Sequence, residues 1–268
     1  NAGVRFIFNV RVQSLEKTET GFRILAAEDR EFFADAVIVC TGGLSYPGTG
    51  STGDGYRFAQ SFGLKIIPCR PSLCGIECDM RGLEGLQGLS LRNVRLTAYT
   101  ASRPVTFFGE MLFTHFGISG PIVLSLSASI NDQPVKDIEL YLDLKPALEL
   151  DTLDKRLLRD FGQYKNKQIQ NALTDLLPKS IILPVLHIAR IAHDLPVNSV
   201  TRMQRQILCE SIKKFPLKAT SLRPLSEAIV TAGGVDVRHI DPKTMECKTV
   251  SGLYFCGEVL DVDALTGG

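Results

Sequence analysis

Along this chain the spacing of apolar and polar residues changes repeatedly, and each change predicts a different kind of structure. From Val4 to Val12 and from Gly21 to Ala26 apolar residues alternate or run together, and Glu31 to Cys40 reads as a turn between two further strands. This opening predicts a small sheet segment. It runs into TGGLSYPGTGSTGDG, where glycines crowd positions 42 to 55 and delay a helix until Tyr56–Phe62, with Asp54 as its predicted cap. From Pro68 short β-rich runs return, clearest at Leu91–Ala101, Val105–Phe108 and Val135–Leu144, with glycine-rich turns such as Arg81–Leu89 between them. That texture predicts an antiparallel sheet or small barrel. Between Pro146 and Phe215 the period becomes helical: Val200, Met203, Ile207, Leu208, Ile212 and Phe215 form one apolar stripe, expected to face a core, with Asn198 as the cap. A return through Leu217 to Gly234 leads to a last strand-like run from Gly252.

That last run, GLYFCGEVLDVDALTGG, has the order strand, acidic turn, paired glycines. Such a turn suits a dinucleotide site, because Glu258, Asp261 and Asp263 can accept hydrogen bonds from ribityl or ribose hydroxyls. Thr266, Gly267 and Gly268 would then open a helix whose N-terminus points partial positive charge at a flavin ring. Thr41, Gly42 and Gly43 end an earlier strand where a side chain would block a dinucleotide; read alone, they are equally a glycine turn between domains. Pieces of one site thus flank a block of about 160 residues, too long for a loop. The expected organisation is α/β (α+β overall): FAD-binding sequence at 1–67, an inserted β-rich, barrel-like domain at 68–145, a helical subdomain at 146–216, a return at 217–234 and the end of the FAD-binding domain at 235–268. Insertions of this kind are expected to cover the reactive face of a cofactor.

A Rossmann-type site also needs G-x-G-x-x-G in a first βαβ turn, and none occurs in the chain. Asn1 and Ala2 look like the scar of a cleaved tag. The chain is therefore expected to be an internal fragment of a longer protein, without FAD or activity by itself.

Composition narrows the partners. Over 268 residues, 30 basic and 29 acidic side chains leave a formal charge of +1, which argues against nucleic acid or a membrane surface as the default partner. Lys213, Lys214, Lys218 and Arg223 form a local basic run, read as a solvated helix end. Seven cysteines without a CxxC pair, with Cys69, Cys74 and Cys78 at unsuitable spacings, predict reduced thiols and no metal site. The longest apolar tract, Ile181 to Ile191, is broken by Pro184, His187 and Arg190, so no membrane span is expected and the location is read as cytoplasmic.

Four motifs carry a family resemblance: VIVCTGGLSYPGTGSTGDGY at Val37–Tyr56, MLFTHFGISGP at Met111–Pro121, VTAGGVDV at Val230–Val237 and KTMECKTVSGLYFCGEVLDVDALTGG at Lys243–Gly268. Through them the chain resembles the BaiN/YhiN-like (BaiN/RdsA) NAD(P)/FAD-dependent oxidoreductases of bacteria. The resemblance implies a two-dinucleotide-binding FAD domain interrupted by a β-barrel domain with a helical insertion, with FAD as cofactor and NAD(P)H as electron donor. It implies cofactor contacts at Val10, Thr41, Gly42, Gly43, Gly257, Glu258, Asp261, Gly267 and Gly268. Phe113, Thr114, Gly117, Ser119, Thr231 and Gly233 are the candidate substrate pocket, and His115 the candidate acid or a turn histidine before a helix capped by Ser119. The implied reaction of the intact protein is hydride transfer from a nicotinamide through flavin to a small organic acceptor, such as an activated C=C bond. Two alternatives stand beside it: a flavin-containing binding or sensing protein whose insertion docks a macromolecule, and an FAD-dependent RNA-modifying enzyme. Near-neutral charge and the lack of a basic stripe interleaved with aromatics weigh against the last.

Overall fold

The computed structural model describes residues 3–265. In chain order the first elements are β1 (Val12–Lys17), β2 (Phe22–Ala26), β3 (Arg30–Ala34), β4 (Val37–Val39), α1 (Asp54–Ser61) and β5 (Ile66–Ser72). Then come β6 (Ile76–Cys78), β7 (Ser90–Tyr99), β8 (Pro104–Phe113), β9 (Gly117–Ser119), α2 (Pro121–Ile130) and β10 (Glu139–Asp143). Helices α3 (Leu150–Gln163), α4 (Ile169–Ala172), α5 (Lys179–Ile188) and α6 (Arg202–Lys213) follow, and β11 (Phe215–Leu222), β12 (Val230–Val235) and β13 (Leu253–Phe255) complete the order. These elements form two compact units, one of Asn1–Ser72 with Pro224–Gly268 and one of Leu73–Arg223.

The discontinuous unit contains an antiparallel sheet β1-β2-β3, an antiparallel pair β5-β12 and a parallel pair β4-β13. Parallel neighbours need a long crossover, and here the whole second unit lies in the chain between Val39 and Leu253. Strand alternation builds the core: Val39, Leu253 and Phe255 are buried with Leu15, Phe22, Phe58 and Val259, while Ile38, next to Val39 on β4, is 64% exposed. The expected strand from Val4 to Val12 is not there. Pairing starts only at Val12, and Val4, Phe6, Ile7 and Phe8 stay exposed, because none of them finds a neighbouring strand among the described residues. Asp54 does not cap α1 either. Gly53 (φ 79°) holds that place, and Asp54 in the first turn takes Arg57 at 2.8 Å and Arg11 at 3.2 Å. The boundary expected at residue 68 falls inside β5, whose pairing with β12 keeps Ser72 in this unit.

The continuous unit is a closed six-stranded barrel, β10-β11-β6-β9-β8-β7, with helices packed on it. Alternation again sets the inward face: Leu91, Val94, Leu96 and Ala98 from β7 and Leu140 and Leu142 from β10 are buried. One apolar core runs on from the barrel into α3, α5 and α6 through Leu153, Leu157, Val185, Leu208 and Ile212. Lys213 ties the two parts together, pairing with Asp143 at 2.7 Å and donating to the carbonyls of Lys145 and Leu148. Three local expectations need correction. Val135–Asp137 is a 3-10 turn rather than the start of a strand, and only Glu139–Asp143 pairs. Helix α2 is entered from Gly120 (φ 98°), with Pro121 in its first turn and no cap from Ser119. Helix α6 is capped by Thr201, and within the apolar stripe Met203 (71%) and Ile207 (39%) are exposed, whereas Leu208, Ile212 and Phe215 are core and Val200 packs against it. Among the described residues no helix is long and apolar enough to cross a membrane.

Candidate functional site

The carboxyl ends of β4 and β13 lie side by side, because the parallel register pairs Val39 with Phe255 and the Cys256 N–H donates to the Val39 carbonyl. In open α/β structures such strand ends are where dinucleotides bind. Here the chain leaves β4 through Thr41-Gly42-Gly43 and leaves β13 through Gly257-Glu258.

Three side chains knit these segments to β12. Ser45 Oγ and the Thr231 backbone N–H both donate to Glu258 Oε1 at 2.7 Å. Thr231 Oγ1 accepts from the N–H groups of Leu44 (2.8 Å) and Ser45 (3.1 Å) and donates to Ser45 Oγ. Both hydroxyl residues are buried, and Glu258 is half-buried. Glu258 Oε2 has no hydrogen bond among the described residues, so one carboxylate oxygen is fixed and the other is available to a ligand. Gly43 sits against this clasp: a Cβ there would lie 2.4 Å from Thr231 Oγ1 and 2.7 Å from Glu258 Oε1. Only glycine fits.

Two hollows are lined by residues that follow these strand ends. One, of about 570 Å³, is lined by Val10, Arg11, Thr41, Gly50, Thr52 and Asp54. The other, of about 400 Å³, is lined by Val230, Gly257, Glu258 and Asp263. Thr41 Oγ1 is buried without a hydrogen-bond partner among the described residues. Burial, and then the neighbouring Cys69 thiol, pushes the Tyr56 phenol well above its usual range. Burial first, and then Asp261, likewise raises the Cys69 thiol. A free carboxylate oxygen, an orphaned threonine hydroxyl and a glycine wall together fit a dinucleotide with sugar hydroxyls and a pyrophosphate.

The expected cofactor residues thus fall in distinct settings. Val10 and Thr41 line the first hollow, and Gly257 and Glu258 the second. Gly43 backs the clasp, whereas Gly42 (φ 70°) shapes the turn. Asp261 is tied through its N–H to the Val235 carbonyl, and its carboxylate acts on Cys69. Gly267 and Gly268 lie outside the described residues. Thr231, expected in a substrate pocket, is fully buried in the clasp, and Gly233 packs on the Pro68 carbonyl. The other expected pocket residues belong to the barrel unit. There Phe113 is core, Gly117 lies against β6, Ser119 ends β9, and Thr114 Oγ1 is buried without a partner among the described residues. His115 is exposed, its ring edge-on to Phe116 at 5.1 Å, with the Arg223 guanidinium 4.5 Å from that same phenyl ring. Ser45 and Tyr56 were not singled out from the sequence, although both stand inside the glycine-rich motif.

Known proteins resemble this chain along nearly its whole length. The family described as "HI0933-like protein barrel and H2TH domain" matches residues 70–230. Ribosomal RNA dihydrouridine synthase of Escherichia coli is 32% identical over 265 residues, which is 99% of this chain and 64% of that protein. The protein of the same name from Haemophilus influenzae is 33% identical, with 99% of this chain and 65% of that protein covered. The 3-dehydro-bile acid delta(4,6)-reductase of Clostridium scindens is 29% identical over 99% of this chain and 65% of its own length. The chain therefore spans just under two thirds of the curated relatives it matches. The expectation that nucleic acid is no partner, drawn from near-neutral charge, is overturned, because two of these similar proteins are named for ribosomal RNA.

Proposed function

This chain belongs to the HI0933-like family, and on that premise we propose that it serves in an FAD-dependent reductase whose acceptor is a uridine of ribosomal RNA. The carrying observation is 32–33% identity, over 99% of the chain, to two proteins named ribosomal RNA dihydrouridine synthase. The third relative's name points to related chemistry. Uracil carries a C5=C6 bond conjugated to a carbonyl, and the bile-acid name describes reduction of C=C bonds conjugated to a 3-oxo group. One type of reduction, addition of two hydrogens across a conjugated double bond, covers both.

Bound FAD supplies two-electron chemistry that no side chain has, with NADH or NADPH as the proposed source of electrons. The residues of this chain hold and orient. Glu258 Oε2 is the proposed acceptor for a sugar hydroxyl of the cofactor, aimed by the Ser45 and Thr231 bonds to Oε1. Gly43 lets bare backbone approach, and Thr41 Oγ1 offers an unused donor. His115 is the proposed proton donor to the acceptor, since an imidazole can both give and take a proton.

The test is nucleoside mass spectrometry after anaerobic incubation of the flavin-loaded protein with NADH or NADPH and ribosomal RNA, beside a parallel reaction with a 3-oxo-Δ4 steroid. Dihydrouridine should form in the RNA, and a strain lacking the gene should lose it at the corresponding position. Reduction of the steroid with no dihydrouridine in either experiment would overturn the RNA assignment and leave a small-molecule reductase.

A further inference from the structure

We propose that the outer wall of the barrel, where β7, β10 and β11 lie side by side, is a docking surface for single-stranded RNA. The inference rests on the RNA reading above but concerns residues away from the clasp. Register assembles the wall. Tyr99 of β7 stands opposite Glu139 of β10, which stands opposite Lys218 of β11; Thr97, Tyr141 and Pro216 form the next row. The rings of Tyr99 and Tyr141 meet edge to face at 5.7 Å, and Lys214 Nζ lies 6.0 and 5.5 Å from their centroids. Four residues before Tyr99, on the same outward face, Arg95 pairs across to Phe108, which is 61% exposed.

Charge on this wall is unbalanced. Arg95, Lys214 and Lys218 are exposed and form no ion pair among the described residues. Two nearby carboxylates are paired, Asp143 by Lys213 and Asp79 by Arg81, which leaves Glu139, still charged while it accepts the Tyr141 hydroxyl at 3.2 Å, facing these three cations. A shallow groove of about 450 Å³ runs beside them, lined in part by Arg81, Lys136, Tyr141 and Lys218. Unpaired cations beside exposed aromatic rings are what single-stranded RNA binding requires, phosphates taking the charge and splayed bases the rings. An acidic peptide would use the cations but not the rings. The chain's +1 charge hides this wall because Arg95 joins the local run of Lys214 and Lys218 from a distant strand and acidic residues elsewhere cancel all three in the sum.

Fluorescence anisotropy with a fluorescein-labelled single-stranded RNA of about 20 nucleotides tests the proposal over a salt series. Replacing Lys214→Ala and Lys218→Ala together should weaken binding at least tenfold and flatten the log K against log salt slope by about 0.7 per cation removed. Tyr99→Ala should weaken it about fivefold or more with the slope unchanged, the signature of lost stacking. Lys155→Ala with Lys179→Ala, on the helices, should change nothing, and circular dichroism should show every variant folded. No RNA binding by the parent chain, equal losses from the helix pair, or displacement by polyglutamate as effective as by unlabelled RNA would each overturn the wall. Dihydrouridine formation is read separately: wall variants that bind like the parent while the parent still forms dihydrouridine reject the wall and keep the RNA reading.

Discussion

Thr231 Oγ1 is a single atom that accepts two buried backbone N–H groups, those of Leu44 and Ser45, and passes a hydrogen bond on through Ser45 to Glu258. Thr231→Val preserves shape and removes the acceptor, so both N–H groups lose their partner. A loss of about 1–3 kcal/mol is expected in urea denaturation, and Thr231→Ser should recover most of it. Glu258→Gln keeps the size but removes the charge from the oxygen left for a sugar hydroxyl. It should lower FAD retention about tenfold in the flavin-loaded protein, measured by fluorescence of released flavin, with little change in unfolding. Gly43→Ala drives a methyl into Thr231 and Glu258 and should cost both stability and flavin. Gly43 and Glu258 were legible because glycine at a strand end and an acid after a strand are local signals. The clasp itself was not, since Ser45 and Thr231 lie 186 residues apart and nothing near either one announces its partner.

Caps and strand ends depended on context one or two residues beyond the pattern. Asn198 looked like the start of α6, yet it sits in a 3-10 turn, Val197–Ser199, and the helix begins with a capping box in which Thr201 and Gln204 satisfy each other's backbone N–H groups. Thr201→Ala should therefore destabilise the barrel unit by about 1 kcal/mol, and Asn198→Ala hardly at all, by thermal unfolding. At α1 the acid near the helix start was visible, but its role was not. Arg11 and then Arg57 hold the Asp54 carboxyl below its ordinary value of 3.8. A carboxyl depressed in the fold adds stability that is complete above its unfolded value and disappears as pH falls through its folded value. Asp54→Asn should thus lower stability at neutral pH and converge on the parent in acid below both values, and carboxyl NMR should show Asp54 titrating below 3.8 unless Arg11 and Arg57 are removed. The barrel was predictable as a class from short strands and turns. Its closure order was not, because pairing such as β11 with β6 joins segments that no local periodicity relates.

Each unit closes its own chain ends, and this decides how the molecule should behave when cut. In the barrel unit the Arg223 N–H donates to the Gly75 carbonyl at 2.9 Å and its guanidinium pairs with Glu77 at 2.7 Å, so the beginning and end of Leu73–Arg223 meet. In the other unit Ser72 is paired with Val230 across β5 and β12, so the two flanks also meet where the barrel departs. Adjacent ends and a separate core are the conditions under which a domain can be removed or inserted with little entropic strain. Residues 73–223 expressed alone should unfold in one cooperative transition with near-ultraviolet dichroism, because every barrel strand and the apolar core shared with α3, α5 and α6 lie within that stretch. A broad transition lacking near-ultraviolet signal would show instead that the barrel depends on the flanking sequence. The same isolated barrel also separates the two roles proposed for the molecule. It holds Lys214, Lys218 and Tyr99 but none of Gly43, Thr231 or Glu258, so once shown to fold it should keep affinity for RNA and have none for FAD, measured by anisotropy and flavin fluorescence on one preparation.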